Sequence, residues 1–423
     1  MSEPKTHIEP QVPPDAEFLE DRPRRRELDE PRSFAPRQAA RTDRPGEALA
    51  RWPAAWDGLD PARFIRLPRA ELAAAAPAVA AETALAEDRA LIVIPCLNEA
   101  PIIARVIAQV LADDGLVDPV VLVADGGSTD GSRAIVAEIA QRDPRVRLMA
   151  NPGRLQSAGV NLAARLMGEG RAWLVRVDAH ADYPPRYAST LIAEARRTGA
   201  AAVVVAMDTH GEGAFQTAVA AAQNSRLGTG GAAHRAAPKG QWVDHGHHAL
   251  FRLEAFEAVG GYDEDFSHNE DAEFDLRLRR DGGEIWLTDK VRIGYHPRAT
   301  AAALARQYFS YGKGRARTVL KHAAPLKYRQ AVPLAVAPAV LSLAAAALIW
   351  PLAVPALVWA SVSLAYGLAL AARARDARVA LAGPAAMIMH LAWSAGFWAQ
   401  LLSQALEPRV EAPETRFARM AAE

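Results

Sequence analysis

The sequence has a single cysteine, Cys96, among its 423 residues. One thiol excludes an internal disulfide framework and any zinc site built from several cysteines. Such a composition is typical of domains that work in a reducing compartment. The chain also has no charge excess, because 49 Lys and Arg residues balance 49 Asp and Glu residues. General nucleic-acid binders normally carry a basic excess, so we expect no nucleic-acid partner.

The first 50 residues have few aromatic residues and no long apolar run, but many Pro, Arg, Asp and Glu residues. Such a segment buries too little apolar surface to offset its ordering entropy, which predicts a disordered tail over residues 1–50. The missing apolar h-region predicts that no secretory signal exports the rest of the chain. An Ala-rich stretch within residues 51–89 predicts a helical lead-in to the first domain.

Short apolar runs alternate with segments of helical periodicity over residues 90–298. Continuous apolar strands separated by helices predict an α/β domain with a mostly parallel sheet, covered on both faces. Ligands of such sheets bind beyond the carboxyl ends of the strands, where the polar motifs of this sequence fall. The predicted strands cover residues 91–94, 120–124, 146–149, 173–177 and 201–206, and the predicted helices cover 101–111, 132–140 and 158–167.

Long uncharged runs dominate residues 331–406. A bilayer core needs about 20 apolar residues per helix, so this region predicts about three transmembrane helices, before a C-terminal tail over 407–423. Basic residues before residue 331 and within 373–378 place those two segments in the cytoplasm by the positive-inside bias. An Ala-rich soluble core is the alternative interpretation. Residues 299–330 mix aromatic and basic residues, which predicts an amphipathic interfacial helix, or else a solvated connector.

Asp125 ends the second predicted strand and begins the sequence DGGSTDGS. A calcium loop of the EF-hand type would need ligands where Gly127 and Val136 stand. A phosphate-cradling loop would need Gly-Lys-Ser/Thr or Gly-x-Gly-x-x-Gly, and the segment has neither. The remaining interpretation is a strand-end carboxylate that accepts hydrogen bonds from a base or a ribose.

Asp178 and His180 lie directly after the fourth predicted strand, two residues apart. Oxygen and imidazole ligands with open positions suit Mg²⁺ or Mn²⁺ that bridges a diphosphate. A polar turn without a metal is the alternative for such a short pattern. His247 lies in a segment with two further histidines, for which a role in lining an acceptor pocket is favoured over zinc binding.

Glu270 and Asp271 stand where a helix is predicted to begin, and Asp275 lies on the same helical face as Asp271. Carboxylates at that position are stabilised by the helix dipole, which is the purely structural interpretation. The functional interpretation makes Asp271 a general base, because deprotonation of an acceptor hydroxyl needs an ionised carboxylate within hydrogen-bond reach.

Together these segments resemble the family 2 glycosyltransferases, inverting enzymes of the GT-A fold, from about residue 90 to residue 317. Within the family the likeness is greatest to the ExoA type of succinoglycan biosynthesis. Each motif is weak alone, but their number and order make the resemblance specific. The motifs are residues 94–99, 125–132, 151–153, 177–181, 260–264, 269–271 and 307–312.

The resemblance implies roles for the residues singled out above. Pro95, Leu97, Glu99 and Asp125 would hold the uridine of a UDP-sugar. Asp178 would bind the nucleotide-sugar and begin the metal motif, with His180 where the family's usual Asp-x-Asp has its second carboxylate. Asp271 would be the base. The supporting or acceptor-side residues would be Glu270, His247 and Gln307.

The implied function is inverting, metal-dependent transfer of a sugar from a UDP-sugar to a polyprenyl-linked saccharide, in exopolysaccharide or cell-surface glycan assembly. Glucose is the leading donor sugar, and a polysaccharide-assembly complex is a further suggested partner. The implied location is the bacterial inner membrane, with a multi-pass anchor and a cytoplasmic catalytic domain. Ser310 and Tyr311 stand where processive synthases have Arg and Trp, which favours the addition of one sugar per acceptor.

Three alternatives stay open at the level of the sequence. A polyprenyl-phosphate sugar synthase would use phosphate, rather than a sugar hydroxyl, as the acceptor. A membrane-tethered component of an export complex would bind nucleotide-sugar without turnover. A nucleotidyltransferase is the weakest alternative, because its Gly-rich activation loop with Arg and Lys is missing near residue 96.

Overall fold

The structure is a computed structural model that describes residues 89–231, 239–326 and 328–406. The predicted tail over 1–50, the helical lead-in up to residue 88 and the C-terminal tail over 407–423 lie outside the described residues. The described residues contain the predicted α/β domain and the apolar C-terminal region. The α/β class is confirmed.

Four strands form the first half of a nine-stranded sheet, in the spatial order β3-β2-β1-β4. All three neighbouring pairs are parallel. Helices on the connections cover the sheet, as the alternating sequence pattern predicted. These elements are β1 (Arg89–Cys96), α1 (Ile103–Leu111), β2 (Val117–Asp125), α2 (Ser132–Arg142), β3 (Val146–Ala150), α3 (Gln156–Met167) and β4 (Trp173–Arg176).

The second half of the sheet is mixed. β8 runs antiparallel between β4 and β6, while β6 and β9 pair in parallel, and β5 and β7 pair antiparallel with β9. The elements are β5 (Ala181–Asp182), α4 (Tyr187–Thr198), β6 (Ala202–Thr209), α5 (Gly213–Gln223), α6 (Arg226–Thr229), β7 (Gln241–Val243), β8 (His247–Arg252), α7 (Leu253–Ala258), α8 (Glu270–Arg280) and β9 (Ile285–Tyr295).

The uninterrupted apolar run of β1 reflects burial on both faces of the sheet. Leu91, Ile92, Val93 and Ile94 are each 0 % exposed. Ile92 and Ile94 pack into the cluster that contains α1 and α4 residues, whereas Leu91 and Val93 face the cluster that contains α3 and α8 residues. Because successive side chains alternate between faces, a strand covered on both sides must be apolar at every position.

Five helices come after the sheet and contain the apolar C-terminal sequence. Two apolar helical segments, Trp350–Ala374 and Ala377–Leu406, are long enough to cross a bilayer, and a shorter apolar helical segment covers Gln330–Ala345. These three segments correspond in position to the three predicted spans, but the first is too short to match the others in length. The five helices are α9 (Ala301–His322), α10 (Tyr328–Leu334), α11 (Val336–Leu341), α12 (Val354–Ala374) and α13 (Ala382–Leu406).

The α9 helix packs tightly along α13 and ties the apolar helices to the sheet domain. A side chain at Gly312 of α9 would place its Cβ 2.0 Å from the Trp393 carbonyl oxygen of α13. At Gly396 of α13, a Cβ would lie 2.0 Å from the Phe309 carbonyl oxygen of α9. Only glycine permits so close an approach of two backbones, so this crossing fixes the two helices against each other.

Candidate active site

The carboxyl ends of β1, β2 and β4 form one edge of the sheet, and the predicted nucleotide-side residues lie at the ends of these strands. Cys96 of β1 is in register with Asp125 of β2, and Val93 of β1 is in register with Arg176 of β4. Because β1 separates β2 from β4, the ends of those two strands lie about 10 Å apart. Asp125 and Asp178 therefore flank the end of β1, which contains Pro95, and the turn after it, which contains Leu97.

Hydrogen bonds join the turn after β1 to the loop after β2. The Asn98 amide donates to Ser128 Oγ at 2.9 Å, and the Thr129 amide donates to Asn98 Oδ1 at 2.8 Å. The Glu99 amide donates to Ser132 Oγ at 2.8 Å. Asn98 adopts a left-handed backbone (φ 59°), a conformation that Asn tolerates better than most residues. The serines and threonine of the DGGSTDGS motif thus hold the turn after β1 in place. Leu97 in this turn is half exposed.

The Asp125 carboxylate is buried and bound to its own loop. It accepts hydrogen bonds from the Gly127 amide at 3.0 Å and from the Ser128 amide at 3.2 Å. Arg133 Nε lies 3.5 Å from the same carboxylate oxygen. The structure therefore places Asp125 at the predicted edge, with its side chain organising the loop backbone.

One buried guanidinium connects the two carboxylates at the centre of the site. Arg176 Nη1 donates to Asp271 Oδ1 at 2.6 Å, and Arg176 Nε donates to Asp178 Oδ1 at 3.2 Å. The Tyr262 hydroxyl donates to Asp271 Oδ1 at 2.9 Å. Arg176 is 4 % exposed, so both ion pairs lie in a largely water-free environment where charge interactions are strong.

The hydrogen bonds to Asp271 leave one of its oxygens available. Arg176 and Tyr262 both donate to Oδ1, and no hydrogen bond from the described residues reaches Oδ2. The Asp271 side chain keeps 17 % of its surface exposed. A hydroxyl group in the adjacent space could therefore donate its proton to Oδ2 while Oδ1 stays fixed.

Glu270 is a buried carboxyl group whose pKa is raised. Its burial, followed by the negative charge of Asp271, raises its pKa to about 7, against the opposing charge of Arg176. Gln156 donates a short hydrogen bond to Glu270 Oε1. Arg176 Nη1 also lies 3.6 Å from Glu270 Oε1. The helix α8 begins at Glu270, where the sequence predicted its N-terminus.

The predicted metal-side residues surround Asp178. Its Oδ2 lies 3.4 Å from His247 Nε2, and His180 Nδ1 lies 3.3 Å from Glu99 Oε1. Burial alone would raise the pKa of Asp178, but the charge of Arg176 and the hydrogen bond from His247 hold it well below its usual range. No group of three or more His, Cys, Asp or Glu side chains is arranged to hold a metal ion within the part of the chain that the structure describes.

A cavity of about 1690 Å³ begins at these carboxylates and continues between the apolar helices. Its lining includes residues of α10–α13, so one cavity joins the sheet edge to the apolar C-terminal region. Six of the predicted site residues line it: Asp178, His180, His247, Glu270, Asp271 and Gln307. The other four predicted residues, Pro95, Leu97, Glu99 and Asp125, lie at the ends of β1 and β2 beside the cavity and are linked to it through the Glu99–His180 contact.

Gln307 of α9, which the sequence analysis expected on the acceptor side, lines the cavity. Its Nε2 donates to the Tyr295 hydroxyl and to the Tyr311 hydroxyl, each at 3.0 Å. Its Oε1 is buried without a hydrogen-bond partner among the described residues. A buried amide oxygen without a donor is unfavourable, so Gln307 Oε1 is an unsatisfied acceptor beside the cavity.

The sequence analysis did not identify Arg176, Tyr262 or Gln156 as functional residues. A signal existed for Arg176, because a cation inside an otherwise apolar strand needs a buried partner. Period-two alternation also places it on the same side of the chain as Asp178. For Tyr262 and Gln156 the sequence pattern gave no signal, since their contacts to Asp271 and Glu270 depend on the packing of α3, α8 and the intervening turn.

Comparison with known proteins agrees with this geometry. The family model described as glycosyl transferase family 2 matches residues 91–260. The succinoglycan biosynthesis protein ExoA of Rhizobium meliloti (strain 1021) is 52 % identical over 318 residues, covering 75 % of this chain and 96 % of that protein. A solved mannosyltransferase from Pyrobaculum calidifontis, in complex with GDP-mannose and Mn²⁺, aligns with a TM-score of 0.51 at 22 % identity, over 75 % of this chain and 88 % of that one.

The relative's identity and coverage are high enough to fix the family, and the similarity to the mannosyltransferase supports the fold. The resemblance seen in the sequence motifs is therefore confirmed, and the chain is an enzyme that transfers sugars. Non-catalytic binding and nucleotidyl transfer are set aside by the same result. The chain belongs to the family 2 glycosyltransferases, within them to the ExoA type.

Proposed function

We propose that this glycosyltransferase transfers a sugar from a UDP-sugar to a hydroxyl of a lipid-linked saccharide, with inversion, in the assembly of a succinoglycan-like exopolysaccharide. One observation supports this proposal above the others: Asp178 and Asp271 face the same cavity, and that cavity continues between apolar helices. A water-soluble acceptor would not need the apolar half. The name of the R. meliloti relative supports the exopolysaccharide product, and glucose is the leading donor sugar.

The donor would lie across the carboxyl ends of β1, β2 and β4. Pro95 and Leu97 provide apolar surface for the uracil, and the loop held by Asp125 presents backbone groups to the ribose. The diphosphate would then extend towards Asp178. Ligands of α/β sheets bind at this edge because the loops that leave adjacent strands converge there.

The residues around Asp178 are compatible with a divalent cation. Mg²⁺ and Mn²⁺ bind through one or two carboxylates together with substrate phosphates, so the absence of a complete protein cage within the described residues does not disqualify the site. Asp178, with His180 as the second candidate ligand, would hold the ion. When bound, the ion offsets the negative charge that develops on the leaving diphosphate. The Mn²⁺ bound by the Pyrobaculum calidifontis mannosyltransferase supports this assignment.

Asp271 would act as the general base from the acceptor side. The attacking hydroxyl gives its proton to Asp271 Oδ2, its oxygen forms a bond to the anomeric carbon, and the bond from that carbon to the diphosphate breaks on the opposite face. An α-linked donor would thus give a β-linked product and free UDP. Arg176 and Tyr262 hold Oδ1, which orients the carboxylate during the transfer.

The variant Asp271→Asn tests this assignment. We expect transfer to fall about 10²–10⁴-fold, the usual contribution of a general base, while UDP affinity stays unchanged. The measurement is UDP release from a panel of UDP-sugars by the full chain in membranes that contain lipid-linked saccharides. Asp281→Asn, an exposed substitution at the other end of α8, is the matched control.

Normal transfer by Asp271→Asn would contradict the proposed base. It would favour the polyprenyl-phosphate sugar synthase, because a phosphate acceptor is already ionised and needs no deprotonation. Release of a lipid monophosphate-sugar as the product would establish that alternative directly. The proposed location is a membrane, with the sheet domain on the cytoplasmic side, and it rests on the apolar helices and the flanking basic residues.

A further inference from the structure

Positively charged side chains outnumber acidic ones around the cavity. Among the described residues its lining contains six arginines and three acidic residues, the latter being Asp178, Glu270 and Asp271. Arg176 is the cation nearest to all three carboxylates, at 3.2 Å from Asp178, 3.6 Å from Glu270 and 2.6 Å from Asp271. An excess of positive charge remains on the cavity wall. The remaining arginines are Arg154, Arg226, Arg298, Arg306 and Arg315.

Arg226, Arg298 and Arg306 have no acidic partner within the described ranges 89–231, 239–326 and 328–406. None of these three guanidinium groups forms an ion pair or a hydrogen bond there. Elsewhere in the described part of the chain, arginines commonly pair with carboxylates, as Arg292 does with Asp208 at 2.7 Å. All three residues are exposed and line the same cavity, so an anionic ligand there could reach their guanidinium groups.

Two of these arginines lie on elements that contact the apolar helices. Arg226 directly precedes Leu227, whose carbonyl oxygen is 2.8 Å from His390 Nε2 of α13. Arg306 belongs to α9, the helix whose backbone contacts α13 at Gly396. Arg298 lies near His268, whose pKa is lowered by burial and then by the charge of Arg298. Arg226 and Arg306 thus lie on elements that contact the apolar helix α13, while Arg298 lies within reach of both His268 and His180.

We propose that Arg226, Arg298 and Arg306 bind the diphosphate of the lipid-linked acceptor, and that the apolar half of the cavity receives the adjoining lipid chain. This inference rests on the proposed function, in which the acceptor is lipid-linked. In the proposed function a divalent ion at Asp178 would offset the charge of the donor's diphosphate, which leaves these arginines for a second anion. Arginine forks form bidentate hydrogen bonds with phosphate oxygens, and a lipid diphosphate is anionic at one end and apolar at the other.

Binding to the full chain in detergent tests the proposal without requiring turnover. The probes are farnesyl diphosphate, farnesol and inorganic pyrophosphate, and the readouts are the dissociation constant and the shift of the melting temperature. Farnesyl diphosphate should bind more than about tenfold more tightly than either comparator, because only it offers both chemistries, and each charge-assisted bond contributes about a factor of ten. Equal binding of farnesol would overturn the diphosphate subsite.

The double variant Arg226→Gln/Arg306→Gln should weaken farnesyl diphosphate binding by roughly a hundredfold, since two charge-assisted contacts are lost. UDP binding in the presence of Mn²⁺ should not change. Lys313→Gln is the matched control, because it removes a cation from the same helix but does not line the cavity. If the double variant lost UDP affinity to the same extent, the arginines would serve the donor instead, and the proposal would be wrong.

Salt dependence of the unmodified chain provides a second test that does not depend on the folding of a variant. Raising the salt concentration should weaken farnesyl diphosphate binding but leave farnesol binding unchanged, because salt screens charge and not apolar contact. Binding of farnesyl diphosphate that ignores salt would contradict the assignment. The chain could bind farnesyl diphosphate through these arginines and yet never release UDP from a UDP-sugar. That result would support the diphosphate subsite and contradict the proposed transfer, so the failure of one proposal can be told apart from the failure of the other.

Discussion

The strand β1 and the helix α12 are both apolar, but their side chains meet different surroundings. The apolar residues 91–94 of β1 are completely buried between two layers of helices. On α12, by contrast, Leu368 is 63 % exposed and Leu357 is 59 % exposed. Soluble proteins rarely present a continuous surface of this kind. Apolar composition therefore has two meanings in this chain: a protein core in the sheet, and a surface suited to lipid on α12.

The lining of the cavity also differs between its sheet side and its helix side. Its sheet side contains charged groups whose partners are fixed by the packing of β4, α8 and the turn at Tyr262. Its helix side is lined by apolar residues of α10–α13. The proposed function requires this division, because buried charges require partners and a lipid chain would require an apolar surface. The comparison between the two regions can be tested by substitutions in each.

The largest effect on stability is expected in the sheet core. Phe251→Ala removes a fully buried ring that packs against Phe256, Tyr262 and Phe274 at centroid distances of 5.2, 5.9 and 5.0 Å. Truncation of such a ring costs about 3–5 kcal/mol of unfolding free energy. Leu368→Ala on α12 should cost far less, since that side chain has little protein around it. Urea unfolding of both variants in detergent measures the difference, and equal losses would contradict it.

A smaller effect is expected from a charge on the exposed surface of α12. Leu368→Lys places an ammonium group where we infer lipid, at a cost of about 2.5–3.5 kcal/mol to membrane insertion. The fraction of full-length chain that stays in membranes after alkaline carbonate washing should therefore fall. Leu166→Lys on α3, where the leucine is 45 % exposed, is the control and should change nothing. Equal behaviour of the two variants would indicate that α12 faces water.

The smallest effect on stability is expected where α8 of the sheet domain contacts α9. Glu273 of α8 is buried and binds Lys321 of α9 at 2.9 Å, His322 of α9 at 2.8 Å and Arg277 at 2.6 Å. Glu273→Gln should lower the unfolding free energy at pH 7 by about 1–3 kcal/mol, because charged hydrogen bonds to two helices are weakened. The unfolding free energy of both proteins, measured across pH, tests this expectation.

The pH dependence of that effect is set by the pKa of Glu273. Burial alone would raise this pKa, but the hydrogen bonds from Arg277 and Lys321 lower it from 4.5 to about 2. The carboxylate is thus more acidic in the folded chain, so its stabilising contribution is complete above pH 4.5 and is lost as the pH falls towards 2. The difference between the natural chain and Glu273→Gln should shrink over that interval. A constant difference would show that Glu273 acts through packing alone.

Local sequence pattern was sufficient to predict the first half of the sheet. The apolar runs and helical periods of residues 91–167 correspond to β1, α1, β2, α2, β3 and α3, because each element is short, regular and bounded by polar turns. The position of Asp178 after a strand and of Asp271 at a helix start came from the same reasoning. Those two predictions depend on the chain near each residue and not on its distant neighbours.

Long-range contacts account for what the sequence did not reveal. Arg176 and Asp271 are 95 residues apart, and no local periodicity connects them. The antiparallel β8 enters between β4 and β6 after an excursion through α4, α5 and α6, so its place in the sheet is decided by pairing partners far along the chain. The cavity that joins the carboxylates to the apolar helices depends in the same way on how α9 crosses α13.

The glycine crossing of α9 and α13 has a consequence for how the enzyme would sit at a membrane. Gly312 and Gly396 bring the two backbones together with no side chain between them, so one helix cannot slide past the other without a steric clash. The α9 helix also contacts α8 through Glu273, and α8 presents Asp271. If the apolar helices lie in a bilayer as proposed, their depth would therefore set the height of Asp271 above the lipid, and the transfer would select a hydroxyl at the matching distance from its lipid anchor.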